Sequence, residues 1–170
     1  MGTVKTKRLT RAALLTAIAL TIFMVEAQLP ALAPVPGLKL GLANIVTVYA
    51  MFLLGPADTL AILLCRVFLG SLFAGQLMTL FYSLGGGLAC YGVMLVLRKL
   101  VTERQIWVCG ILGAMAHNIG QICVAIGITR TPGLLYYLPV LMVSGILTGC
   151  FTGLCAQFLV CRMERIGKKG

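Results

Sequence analysis

Arg66 interrupts an apolar stretch that begins near Ala57. Its planar guanidinium offers paired N–H donors that match the edge of a carboxylate or phosphate. His117, Asn118 and Gln121 occur in the string HNIGQ inside another apolar run. His117 and Gln121 stand four residues apart, so a helix puts them on one face, with Asn118 at its border. Asn44 opens a further apolar run, and Lys39 shortly precedes it. Ionisable groups at membrane depth are costly and by default face a protein interior or a wet cavity. Together these residues predict a substrate-binding cavity with Lys39 at its mouth. Arg66 would hold an anionic part of the ligand, and Asn118 and Gln121 would give directional hydrogen bonds. The competing reading is structural: Asn118 and Gln121 tie neighbouring helices together, and Glu26 pairs with Arg66.

The elements that position these residues follow from composition. Hydrophobic residues make up 60% of the 170 and charged residues 11%, whereas a soluble domain is roughly a quarter charged. A soluble globular protein, a disordered tail and a coiled coil are excluded, and an all-α integral membrane protein remains. The formal charge of +10 raises the question of nucleic acid, and its distribution answers it. The bases gather as Lys5, Lys7, Arg8 and Arg11, then Arg98, Lys99 and Arg104, then Arg162, Arg165, Lys168 and Lys169. A nucleic-acid reader needs a basic face with stacking aromatics, so no such partner is predicted. Three basic groups between apolar runs instead mark cytoplasmic ends under the positive-inside rule.

A crossing takes about 20 apolar residues. The apolar runs predict six transmembrane helices over about 11–29, 42–55, 57–74, 79–97, 106–128 and 134–161, in a single membrane domain covering 1–170. The second is short, tilted or partly re-entrant. An even number of crossings puts both termini and the 98–105 connection on one side, the cytoplasmic side of a multi-pass protein of the bacterial cell membrane. The segment 30–41, PALAPVPGLKLG, has three prolines that stop the first helix and forms an outer loop over part of the bundle. Ala31-Leu32-Ala33 has the look of a signal cleavage site. Cleavage there would leave five crossings and break the charge symmetry, so the first apolar segment is read as retained.

Catalytic signatures are absent. There is no Walker A string, no acid-rich DDxxD cluster for magnesium and diphosphate, and the four acids, Glu26, Asp58, Glu103 and Glu164, are far apart. A metal site needs several suitably spaced ligands, and there is one histidine. The seven cysteines lack CxxC spacing and read as small buried hydrophobes. No enzyme activity, cofactor or metal is predicted. Gly145, Gly149 and Gly153 repeat every fourth position, a close-packing stripe read as internal. Ala13 and Ala17 share one face of the first helix, free to receive a partner's helix.

PGLKLGLANIVT (36–47), RVFLGSLFAG (66–75), YSLGGGL (82–88), GAMAHNIGQ (113–121) and YYLPVLMVSGILTG (136–149) together resemble the Gx transporter family, often labelled heptaprenyl diphosphate synthase component I. That family is similar to the substrate-binding S components of energy-coupling factor transporters, which are six-helix membrane proteins. The resemblance implies a subunit that captures a small anionic, or isoprenoid-, quinone- or flavin-related, solute from the outer side. It further implies docking on a transmembrane scaffold with two ATPases, through Ala13 and Ala17, with the loop 30–41 capping the cavity. Membrane lipids would surround it. The label allows an alternative: a non-catalytic membrane partner of a polyprenyl diphosphate synthase, or of a quinone or flavin electron-transfer system.

Overall fold

The computed structural model describes residues 2–28, 39–75 and 77–167. Residues 30–38 of the expected outer loop, Gln76, Lys168 and Lys169 lie outside them. Among the described residues the chain is all-helical: α1 (Gly2–Glu26), α2 (Asn44–Leu53), α3 (Pro56–Ala74), α4 (Leu77–Leu97), α5 (Ile106–Thr129) and α6 (Leu138–Gly167). Short 3-10 turns at Glu103–Gln105 and Pro132–Tyr137 lead into α5 and α6. Local sequence explains the boundaries. Pro56 sits in the first turn of α3, where its missing N–H costs nothing. Gly75 closes α3 in the left-handed conformation, with φ 65°.

Five of these segments are long and apolar enough to cross a membrane, and α2 is a shorter apolar helix. Ten residues of helix rise about 15 Å, half of the roughly 30 Å hydrocarbon core. The second span, expected over 42–55 and read as short, is helical over Asn44–Leu53. α1 departs the other way. Hydropathy marks a start near residue 11, but the helix runs back to Gly2 through the basic segment, because Lys and Arg sustain helix well outside lipid. The sixth crossing begins as a 3-10 turn rather than as helix at residue 134.

Contacts fix the direction of each helix. Arg8 on α1 pairs with Asp58 in the first turn of α3, so these two helices start at the same end of the bundle. The Tyr91 hydroxyl near the end of α4 donates to the Pro56 carbonyl at 3.2 Å. The Trp107 N–H opening α5 donates to Gln157 late in α6 at 3.3 Å. Met51, Cys90, Met94, Ile106 and Val160 share one buried cluster at that end. Arg8, Arg98 and Arg162, from the three basic groups, thus lie toward one end of the bundle. With α1 and α3 parallel, the chain must return between them, and α2 is the helical part of that return.

The tightest packing lies among α4, α5 and α6. A Cβ added at Gly110 would stand 2.4 Å from the Gly149 carbonyl oxygen and 2.5 Å from the Gly153 Cα. One added at Gly120 would stand 2.6 Å from the Gly85 carbonyl oxygen. Glycine faces let helix backbones touch, which substitutes in lipid for the absent hydrophobic drive between helices. The Gly145, Gly149 and Gly153 stripe is accordingly spent inside, against α5. The perimeter carries exposed Leu72, Phe73, Leu147, Phe151 and Phe158, as a lipid-facing surface should. The cysteines are corrected in part: Cys90 and Cys109 are buried, but Cys65 and Cys123 are exposed.

Gly110→Val should therefore destabilise the bundle by about 1–3 kcal/mol or more, because backbone atoms cannot yield as side chains do. Gly92→Ala meets nothing within 4 Å and should leave stability unchanged or slightly raised. Thermal unfolding of both variants in detergent checks this, and equal midpoints would contradict the packing described.

Candidate functional site

Most of the polar residues expected at membrane depth converge near the end of the bundle opposite the basic groups. Phe23 and Glu26 from α1, Arg66 from α3, Ser83 from α4, and His117 and Gln121 from α5 line one void, closed over by Lys39 and Gly41 from the segment before α2. Its volume is about 10 Å³, the room of roughly one water. Glu26, Arg66, Ser83 and His117 are each under 5% exposed, and Gln121 is fully buried.

The helical frame brings these groups together through close approaches. A Cβ at Gly86 would fall 2.9 Å from His117 Cε1 and 2.8 Å from Gln121 Cγ, so α4 can press on α5 only because that position is bare. Gly70 does the same for Phe23, whose ring carbon would lie 2.7 Å from such a Cβ. The seated Phe23 ring in turn carries the Lys39 ammonium, 3.3 Å from its centroid, a cation–π contact.

The carbonyls of Gly41, Leu42 and Ala43 accept from the N–H groups of Asn44, Ile45 and Val46, while N–H groups of the same segment turn to the site's side chains. The Gly41 N–H donates to Glu26 Oε1, and the Lys39 N–H donates to Gln121 Oε1 at 3.4 Å. Gly41 has φ 81°, which L-residues rarely adopt. A Cβ there would also meet Asn44 Nδ2 at 2.8 Å and His117 Cδ2 at 3.0 Å. Gln121 Nε2 lies 3.0 Å from His117 Nε2. With the amide donating, His117 is the neutral tautomer carrying its proton on Nδ1.

Arg66, His117, Gln121 and Lys39 thus share the void. Asn44 stands beside it and accepts from Arg66 Nη2 at 3.5 Å. Asn118 is turned toward α6, where its Nδ2 donates to the Leu141 carbonyl at 2.6 Å; its amide ties two helices. Ala13 and Ala17 are exposed, on the side of α1 away from Ala12, Leu15, Ala19 and Ile22, which pack inward. The expected Glu26–Arg66 ion pair is absent among the described residues, because the carboxylate is engaged by the Gly41 amide instead. Residue order sets Glu26 at the depth of the site without a ligand role, and gives no sign of Ser83, Phe23 or Gly41. Glu26 was the readable one, as the sole acid near the outer end of a crossing.

Several buried polar atoms here have no hydrogen-bond partner among the described residues: Lys39 Nζ, Asn44 Nδ2, Arg66 Nε, His117 Nδ1 and Asn118 Oδ1. Leaving such atoms unpaired costs about 1–3 kcal/mol each, more for charged groups. Most of these atoms are donors. Among the described residues no three His, Cys, Asp or Glu side chains gather to hold a metal.

A family model described as heptaprenyl diphosphate synthase component I matches residues 15–159 of the chain. No curated protein and no solved structure matches it.

Lys39 supplies a pH signature. Burial pulls its ammonium down from 10.5 to about 8, with Glu26 opposing and Arg66 adding to the effect. The unfolded chain keeps the proton up to 10.5 while the folded chain releases it from about 8, so this lysine makes stability rise with pH between those values and weighs fully against folding below them. The groups around it are Glu26 from α1, Arg66 from α3 and His117 from α5. The unfolding midpoint of the unaltered chain minus that of Lys39→Met should climb across this window; a flat difference would show Lys39 to be solvated like a surface lysine.

Proposed function

The chain belongs to the heptaprenyl diphosphate synthase component I family, and we propose that it serves there as a solute-binding membrane subunit of an energy-coupling factor type importer. The observation that carries this reading is Arg66: 3% exposed, its Nε without a partner, and facing a void shared with His117, Gln121 and Lys39. A charge placed so deep, at a cost of about 2.5–3.5 kcal/mol on insertion scales, is retained where a guest completes it. In the closed form the void holds no more than a water. The solute enters when the segment 39–43 lifts, breaking its bonds to Glu26 and Gln121 while the glycine-packed α4–α6 unit stays intact.

The bases at the opposite end of the bundle assign that end to the cytoplasm, so the site opens outward from the cytoplasmic membrane. The energy for transport comes from partner ATPases reached through a transmembrane scaffold, because the chain has no nucleotide-binding string. The exposed Ala13 and Ala17 on α1 offer that scaffold a close-packing face. In this reading the chain binds and hands over its solute without altering it.

The family's description favours a second reading, in which the chain is the membrane component of a polyprenyl diphosphate synthase and works with a soluble catalytic component. The two readings part on one experiment. The chain is purified in nanodiscs of its own membrane lipids, and the small molecules released on denaturation are identified by mass spectrometry. A polar solute in roughly equimolar amount, depleted in Arg66→Gln, supports the importer subunit. Co-purification of a soluble synthase whose activity needs this chain, with no such solute, supports the second reading and rejects the first.

A further inference from the structure

The charges around the void do not balance, and the sequence holds nothing to balance them. Lys39 and Arg66 bring two positive charges and Glu26 one negative charge. Every other acid is accounted for elsewhere. Asp58 pairs with Arg8 at the far end of the bundle. Glu103 lies in the turn before α5 and Glu164 in the last turns of α6, both at that same far end. No movement of side chains brings a second carboxylate to the site. A buried uncompensated charge is strongly unfavourable, so the compensating anion comes from outside the chain.

We propose that this site takes a solute bearing a single negative charge on a carboxylate-type oxygen group, held by Arg66 with Lys39 closing over it, and that a diphosphate is not its ligand. This rests on the solute-binding reading above and names its substrate class. The free valences agree with an oxygen anion: Arg66 Nε, Lys39 Nζ and Asn44 Nδ2 are donors without acceptors. A planar carboxylate matches the edge of a guanidinium. One negative charge brings the site to neutrality. A diphosphate brings two or more, leaves a net negative charge in the same buried space, and finds no cluster of carboxylates to hold the magnesium that would offset it. A cationic solute would meet Arg66 and Lys39 together.

The balance also explains how the segment 39–43 can act as a closure. Its lysine is the second cation, and the anion it covers is the group that draws it in. Without the anion, Lys39 and Arg66 repel each other across the void, and the bonds that tie the lid to the site run from the Lys39 and Gly41 N–H groups to the Gln121 and Glu26 side chains. Capture of the solute and closure of the site are then one electrostatic event.

The test uses the full chain in phosphatidylcholine nanodiscs at neutral pH, so that no anionic lipid competes. Unfolding is followed through the fluorescence of Trp107, which lies at the opposite end of the bundle. The probes, at matched ionic strength, are formate, acetate and benzoate, their uncharged amides, and inorganic diphosphate. At least one carboxylate should raise the midpoint saturably, while its amide and diphosphate should not. Arg66→Gln should weaken that carboxylate roughly thirtyfold or more, and Arg66→Lys, which keeps the charge, should retain part of the binding. Lys39→Met, at the rim, gives a second readout should Arg66→Gln not fold: its carboxylate binding should also weaken. The proposal is overturned if no carboxylate gives a saturable shift, if amide and acid act alike, if diphosphate binds more tightly, or if the shift ignores both cations. Those results leave the solute-binding reading standing wherever mass spectrometry still finds an Arg66-dependent neutral or multiply charged solute; only the absence of any such solute removes both.

Discussion

Arg66 keeps a full positive charge near the middle of α3, in a bundle made for lipid, with the Asn44 amide oxygen at 3.5 Å as its one hydrogen-bond acceptor among the described residues. No carboxylate stands within ion-pair reach of it among the described residues. The nearby acid, Glu26, is committed to the Gly41 amide. A charge in that condition has to be shielded from lipid on every side, and the fold is organised to do so. α1 covers it with Phe23 and Glu26, α4 with Ser83, α5 with His117 and Gln121, and the segment before α2 with Lys39 and Gly41. The first return of the chain becomes helical only at Asn44, after Lys39 and Gly41 have passed over the void.

The two halves of the molecule contribute differently to this enclosure. α4, α5 and α6 meet through glycine faces close enough that a methyl group would strike backbone. α1 meets α3 through Phe23 laid on Gly70, and the lid is fastened by side chains rather than by ladders of backbone bonds. The void lies at the seam between these two kinds of packing.

Much of this was readable from residue order. The long crossings announce themselves because apolar runs of about 20 residues have few other uses, and the glycine stripe of α6 announces an internal face. The bases fix which ends gather together. Arg66, His117 and Gln121 were legible as a shared site because polar groups in apolar runs must find one another. That α2 is short was legible, but not where its helix begins and ends. Its sequence stays apolar past both ends of the helix, and hydropathy does not record that Gly41 turns the backbone to φ 81°. Asn118 shows the other limit. It borders the His117–Gln121 face, yet a rotation of less than a third of a turn hands its amide to Leu141 on α6 instead of to the void. Glu26 was visible as an acid but not as a lid fastening, since a backbone N–H partner leaves no mark in a sequence.

The account stands on a void that opens to the outer side and closes around a guest. The most direct measurement is the reactivity of Ser83→Cys, in a cysteine-free background, toward a membrane-impermeant maleimide applied to intact cells or to inverted vesicles. Ser83 lines the void and is otherwise buried. The account predicts slow labelling from the outer side, little from the side that carries the basic groups, and protection when membrane-extracted solutes are restored. No labelling from either side, or labelling from the basic side alone, would mean that the polar cluster is sealed packing or faces the opposite compartment.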